Sequence, residues 1–353
     1  MTQVSEVVRA PHFAPIASAP GGFFHLRKLG VGSWQERSID VSVGRSSVRG
    51  PKEVVLARNM TVDDAVALIF TECLKHWTSN EAVALRGADP EGIHEMRVGL
   101  RRMRSALSDF RAIIPLPQLA WMKRETKWLL TSLGAARDWD VFLTELLEPV
   151  EAARPQDRGL RELRSAARAE RKRGYATTHI AIRCFRHSRF LAQMRDWLSA
   201  RRWCQSRPKD RESLDEPIQK LALRVLRKRH AAALKLGLDF SKLSAKQRHQ
   251  LRIALKKLRY TADFFRSLYP KKHAKPYLHA LAQMQNCLGH MNDVVVAEHL
   301  LERMTSVHQR QRVFAHLPTA TGTVIGWHAR GASAAAQEAQ ENWRKFREVG
   351  CFW

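Results

Sequence analysis

The sequence predicts an all-α fold, and three observations carry that prediction. From Thr61 onward apolar residues recur at spacings of three and four, the period of a half-buried helix. Gly or Pro punctuates these segments as helix stops do. One basic helical pattern also returns 155 positions later in the same phase.

The elements follow in order. Residues 1–58 differ from the rest, being rich in Gly, Ser, Val and Pro with strand-like runs SIDVSV and EVVLAR. They read either as a flexible arm or as a strand packed on the main body. Thr61 suits an N-cap, with Asp63 and Asp64 in the first turn where carboxylates favour the helix dipole. The periodicity predicts helices over 62–78, 91–113, 118–133, 138–150, 157–181 and 188–200. A polar, Pro-containing stretch, RPKDRESLDEP at 207–217, follows as a connection. Further helices are predicted over 217–236, 244–268, 273–288, 292–309 and 325–348.

The repeat sets the domain organisation. EGIHEMRVGLRRMRSALSDF, from Glu91, aligns with AKQRHQLRIALKKLRYTADFF, from Ala245, when His94 is placed on His249. Arg97 then meets Arg252, Arg101 meets Lys256, Arg102 meets Lys257, Arg104 meets Arg259 and Phe110 meets Phe265. The same offset pairs Leu133-Gly134 with Leu288-Gly289, Asp138 with Asp293 and Val141 with Val296. The body, 59–353, is therefore expected to be two copies of one helical unit, 59–206 and 207–353.

Charge points to the kind of partner. Lys and Arg number 60 against 34 acids, a formal net charge of +26. Such a chain repels itself unless an anion sits on it, and nucleic acid, an anionic membrane or a phosphate polymer qualify. At about 100° per residue, His94, Arg97, Arg101 and Arg104 share one side of their helix, with Arg102 flanking. His249, Arg252, Lys256 and Arg259 do the same in the second copy, with Lys257 flanking. A solvated face mixes signs, because like charges four apart destabilise a helix. No acid stands between Arg97 and Arg104, so an anion-binding strip is expected twice. Lys220, Arg224, Arg227 and Lys228 form a lesser basic line, and Arg161, Arg164, Arg168 and Arg171 another that carries Glu162 and Glu170 within it. Arg137 is a further anion-binding candidate, although Asn292 replaces it in the second copy.

Other chemistry finds less support. Gly134 and Gly289 read as helix C-termini with φ > 0, and Asp138 and Asp293 as caps of the helices that follow. HEMRV is not HExxH, since Val98 fills the last position, so no metal is expected and no cofactor is called for. There is no GxxxxGK[ST] loop and no acidic cluster suited to two metals; Asp138 and Asp293 would be the first suspects in a phosphohydrolase. The strips lack the interleaved aromatics of single-strand readers, Tyr260 excepted, and Trp77, Trp121, Trp128, Trp139 and Trp197 fall in apolar settings, which makes nucleic acid the secondary partner. Five scattered cysteines without a CxxC pair suggest a reducing compartment. With no secretory signal and no apolar run of spanning length, a cytoplasmic protein without a membrane partner is expected.

HEMRVGLRRMRSAL, LGAARDWDVFL, HQLRIALKKLRYTADFF and LGHMND, in that order, resemble the CHAD domain, the conserved-histidine α-helical domain. The resemblance runs from about residue 61 to near the C-terminus. It implies two related four-helix bundles with pseudo-two-fold symmetry and a basic surface or pore between them. It further implies non-catalytic binding of inorganic polyphosphate, often at polyphosphate granules. Carried over by motif, the ligand-facing residues are His94, Arg97, Arg101, Arg102, Arg104, His249, Arg252, Lys256, Lys257 and Arg259. Such domains are often preceded by a CYTH domain, a triphosphate tunnel enzyme with an ExExK motif. No ExExK occurs here, and the 58-residue head is too short for that barrel, so it resembles only a residual tail of one.

Overall fold

In a computed structural model of the chain the helices begin where the sequence supplies a cap. The structure describes residues 47–205, 208–311 and 316–353, with side chains outside 205–211, 307–315 and 332–334. Helix α1 spans Val62–Thr78, and the Thr61 hydroxyl accepts from the Asp64 N–H at 3.2 Å. Helix α2 spans Glu81–Arg86. Helix α3 spans Pro90–Asp109; Asp89 caps it, and Pro90 occupies the first turn, where its missing N–H costs nothing. Helices α4 (Leu116–Ser132) and α5 (Gly134–Val141) follow, and α5 runs through a π-turn, Phe142–Leu147, into α6 (Glu148–Ala153). Helices α7 (Arg158–Arg183), α8 (Phe185–Ser199), α9 (Pro208–Asp215) and α10 (Ile218–Leu236) lead into the second half. Helix α11 spans Ala245–Phe265 behind a Ser244/Gln247 capping box, and α12 (Lys271–Gln311) and α13 (Leu317–Glu348) complete the fold. Among the described residues there is no strand, and the fold is all-α.

The repeat is visible in where helices start. Pro90 and Ala245 open α3 and α11, and Leu116 and Lys271 open α4 and α12, each pair 155 residues apart. The two halves are stitched at their beginnings by an antiparallel bridge between Thr61 and Pro217. There the Val62 N–H donates to the Glu216 carbonyl at 2.9 Å, and Ile218 N–H to the Met60 carbonyl at 2.9 Å. Helix α1 packs on α3, α10 on α11, α5 on α7 and α12 on α13. The apolar stripe of α3 (Met96, Leu100, Met103, Leu107) and that of α11 (Leu251, Leu255, Leu258, Ala262) are fully buried. Gly99 sets the α1–α3 approach: a Cβ there would lie 2.7 Å from the Trp77 backbone nitrogen, which cannot move aside.

Several expectations are corrected. The 207–217 connection is largely helical, as α9, and α2 was not predicted. The predicted pair 273–288 and 292–309 is one helix, α12, because Gly289 keeps helical backbone; among the described glycines only Gly87 has positive φ. The apolar face of α12 continues past the glycine through Ala297, Leu300 and Leu301, so packing holds the helix together. Gly134 likewise opens α5 without positive φ. Asp138 and Asp293 are therefore not caps: each lies inside a helix, beyond its first turn. Residues from Arg49 onward pack on the helices rather than forming part of an arm. Arg49 and Asn80 exchange two hydrogen bonds, the Leu56 N–H donates to Ser267 Oγ at 2.8 Å, and Val54 and Leu56 are buried. The remaining N-terminal expectations, including SIDVSV and the CYTH tail, fall on residues 1–46, outside the described residues.

One buried ion pair joins three helices across the repeat boundary. Asp109 Oδ1, at the end of α3, accepts from Arg229 Nε (3.0 Å) and Nη2 (2.6 Å) of α10, and its Oδ2 accepts from Thr261 Oγ1 of α11 at 2.6 Å. Asp109→Ala leaves the largely buried Arg229 guanidinium without its counter-ion, and breaking such a pair costs about 3–5 kcal/mol. Urea unfolding followed by circular dichroism checks this; a loss below about 1 kcal/mol would show that the pair does not tie the halves together.

Candidate anion-binding cavity

The basic faces of α3 and α11 meet at a cavity of about 890 Å³, walled further by α5, α12 and the extended residues 51–53. Nine Lys and Arg side chains line it: Lys52, Arg97, Arg101, Arg102, Arg137, Arg252, Lys256, Arg259 and Arg266. Six carboxylates line it too: Glu53, Glu95, Asp138, Glu145, Asp263 and Asp293. The imbalance seen within α3 is thus softened by Glu95 of α3 and by five acids from other elements, but cations still prevail.

The equivalent arginines Arg97 and Arg252 have different neighbours at their Nη atoms. Arg97 Nη1 donates to the Leu130 carbonyl at 2.6 Å, and Arg252 Nη2 lies 3.8 Å from Asp293 Oδ1. The Nε of each is buried and has no hydrogen-bond partner in the protein. A buried N–H without an acceptor costs free energy, so its presence twice, at equivalent positions, marks a place for an acceptor. Arg259 donates to Gln285 Oε1 at 3.2 Å and lies 4.0 Å from Asp263, while Gln285 is itself fixed by a 2.8 Å bond to the Leu255 carbonyl.

Crowding is written into the protonation of the group. Burial, then the charges of Arg101, Arg252 and Arg97, pushes the Lys256 amine down to about 7. Burial and neighbouring arginines bring Arg97 down to about 10, and burial with Arg137 brings His94 down to about 4. Arg252 is lowered for the same reasons. Burial raises the Asp138 carboxyl, with Asp293 adding to the rise and Arg97 opposing it. Every one of these directions is that of charges held close together away from water.

The sequence-derived residues separate into three groups. His94, Arg97, Arg101, Arg137, Arg252, Lys256 and Arg259 line the cavity, together with Asp138 and Asp293. Arg102 reaches it only with an edge: it is 4% exposed, its Nη1 lies 3.4 Å from His76 Nδ1, its Nη2 donates to the Lys52 carbonyl, and it covers the Phe264 ring. His249 is exposed and turns to Asn292 Oδ1 at 2.8 Å, so it borders the rim through a residue that lines the cavity. Arg104 and Lys257 face elsewhere, and Lys220, Arg224, Arg227 and Lys228 are exposed on α10, away from the cavity. Of the α7 line, Arg164 pairs with Glu151 and Arg171 with the buried Asp140. Sequence reasoning missed Asp263 and Arg266, although both continue the strip, four and seven residues beyond Arg259. It also missed residues 51–53, which carry no signal before the chain folds.

Metal-ligating atoms come together once among the described residues, at Glu91, His94 and Glu95, within 4.8 Å of one another. Glu95 is already engaged by His76 Nε2 at 2.6 Å, and Glu91 by Arg137 at 3.5 Å, which makes them counter-ions to their neighbours.

An all-helical chain with a cation-lined cavity between two helices of the same basic pattern is the class that fold and site define. Within it, the chain belongs to the CHAD domain family, whose profile matches residues 68–302. It is similar to a crystal structure of the CHAD domain from the plant Ricinus communis, with a TM-score of 0.74 and 29% identity, covering 86% of this chain and 98% of that one. PptA from Streptomyces chartreusis shares the fold at a TM-score of 0.60 and 15% identity, covering 81% of this chain and 100% of that one. Two uncharacterized proteins of Mycobacterium tuberculosis, MT2285 of strain CDC 1551 and Rv2226 of strain H37Rv, are each 30% identical over 225 residues. The match takes in 62% of this chain and 42% of each relative, so the aligned region is less than half the length of these relatives. Among the described residues no helix is long and apolar enough to cross a membrane.

Proposed function

We propose that this protein binds inorganic polyphosphate in the cavity between α3 and α11, without catalysis, and that this binding places it at polyphosphate granules in the cytoplasm. The observation that carries the reading is the pair of buried, unpartnered Nε groups on the equivalent Arg97 and Arg252, in a cavity lined by nine Lys and Arg side chains. Arg forks suit phosphate oxygens, and Lys adds point charge. A polyphosphate chain supplies anion after anion and has no bases to stack. Of the large aromatics bordering the cavity, Phe142 is fully buried, which leaves Tyr260 alone beside the basic strips, where a reader of single strands would need several platforms. The acids favour binding over chemistry: Asp293 and Asp263 lie beside Arg252 and Arg259, as counter-ions do.

Titrations at two salt concentrations test the reading, with long-chain polyphosphate, triphosphate and single-stranded nucleic acid of matched charge. Affinity is expected to fall with salt as counter-ions are released, with long polyphosphate remaining the tightest ligand at the higher concentration. Equal binding of nucleic acid and polyphosphate, both collapsing with salt, would reduce the protein to a general polyanion binder.

A further inference from the structure

Past the basic strip of α3 the chain borders a second, smaller pocket. By the 155-residue offset, Lys257, Arg104, Ser108 and Arg111 are the counterparts of Arg102, Arg259, Asp263 and Arg266. The second four line one end of the central cavity. Of the first four, Ser108 and Arg111 border a separate pocket of about 230 Å³ between the end of α3 and α10, together with Arg224, Lys228 and Arg229. Two positions of the smaller pocket, Ser108 and Arg111, are thus equivalent to positions of the cavity. Residues 51–53 border the cavity, and Ser213 of α9 borders the pocket. They differ in acid content: Asp263 is matched by the neutral Ser108, and among the described residues Asp109 is the one carboxylate that lines the smaller pocket. That carboxylate is spent inside the protein, gripping Arg229 while Ser108 Oγ accepts from Arg229 Nη2 at 2.8 Å. Arg229 is thereby fixed in place, and Arg111, Arg224 and Lys228, which line the same pocket, are exposed.

We infer that this patch is a second phosphate-binding site, separate from the cavity, which takes a short run of phosphates. The nearby Lys257 amine is lowered by burial first, then by Arg229 and Arg104, with Asp109 opposing. Among the described residues four cations line the small pocket against one carboxylate, Asp109, which is paired with Arg229 and leaves Arg111, Arg224 and Lys228 to an incoming anion. An anion there gains charge-assisted hydrogen bonds and relieves the mutual repulsion. The inference does not depend on the central cavity holding polyphosphate.

Calorimetric titration with triphosphate tests it on the full chain, in wild type, R111E/K228E, R101E/K256E and the quadruple variant. Arg111 and Lys228 are exposed, so their reversal leaves the fold intact, which thermal melts verify. Two triphosphates per wild-type chain are expected, one in R111E/K228E and none in the quadruple variant. The lost site should weaken by at least about tenfold, the effect of about one charge-assisted bond. An unchanged stoichiometry in R111E/K228E, or a single wild-type site that R101E/K256E removes, overturns the inference. If the cavity reading alone is wrong, R101E/K256E keeps the wild-type stoichiometry while R111E/K228E still loses one site. Long-chain polyphosphate then distinguishes the source of the phosphates. A weaker long-chain affinity in R111E/K228E means that one chain reaches both sites. An unchanged one means that the patch serves a separate short phosphate.

Discussion

Reversing charge at Arg101 and Lys256 together is expected to abolish binding of long-chain polyphosphate while the protein melts no lower than wild type. The two are equivalent residues of the two repeats, and both line the cavity. Each lost hydrogen bond to an anionic ligand removes about 1.5–3 kcal/mol, and the new carboxylates repel the chain besides. Two such losses amount to at least a hundredfold in affinity. The fold should tolerate the change, because the apolar stripes of α3 and α11 lie on other sides of their helices. It should even benefit. Lys256 stands among Arg97, Arg101 and Arg252, and a carboxylate there turns repulsion into attraction. Isothermal titration with thermal melting by circular dichroism reads both effects. Undiminished affinity in R101E/K256E removes the cavity from the proposal. A collapse of the melt would show that these cations serve the fold instead. R104E/K257E provides the contrast: it reverses the corresponding strips where they leave the cavity, and its loss of long-chain affinity should be much the smaller.

What was legible in the sequence was whatever depends on one helix at a time. The phase of His94, Arg97 and Arg101 against Met96, Leu100 and Met103 follows from 3.6 residues per turn, and the structure keeps it. The repeat was legible because equivalent positions kept both residue type and spacing. The capping role of Asp138 and Asp293 was read from local sequence and proved wrong. Gly289 suggests a break, yet packing of the residues beyond it carries α12 straight through. Burial of Arg102 was invisible for a related reason: its partners, His76, Lys52 and Phe264, come from three distant segments. Of the six acids of the cavity only Glu95 stands on α3; the others come from α5, the π-turn, α11, α12 and the extended residues 51–53, so most of the charge balance of the site is a property of assembly and not of one motif.

Polyphosphate affinity should fall as pH rises from about 6 to about 9, and Lys256 should carry most of the slope. Without an anion its amine sits near 7, below the ordinary lysine value of about 10.4, because it is buried among Arg101, Arg252 and Arg97. A bound phosphate oxygen favours the charged amine and moves it back up. Between the two values the complex holds a proton that the free protein lacks, so binding takes one up and weakens with increasing pH. Asp138, raised by burial, acts in the same direction on the acid side: its protonation removes a negative charge from the cavity wall. His94, neutral above about 4, would add to the slope only if phosphate raises it. The sign reverses for the free protein. The folded amine of Lys256 lies below its unfolded value, so from about 7 to about 10 the unfolded chain binds more protons and stability gains with pH. The free protein should therefore melt higher at pH 9 than at pH 7, while the polyphosphate complex loses part of its advantage. Long chains are the ligand to use, since their internal phosphates stay charged throughout. The expected loss is about tenfold between pH 7 and 9, within what one titrating group allows. Lys256→Arg keeps the charge and removes the titration, so its profile should be flat across that interval. A flat wild-type profile, or a slope that survives in K256R, would mean that Lys256 does not face the ligand.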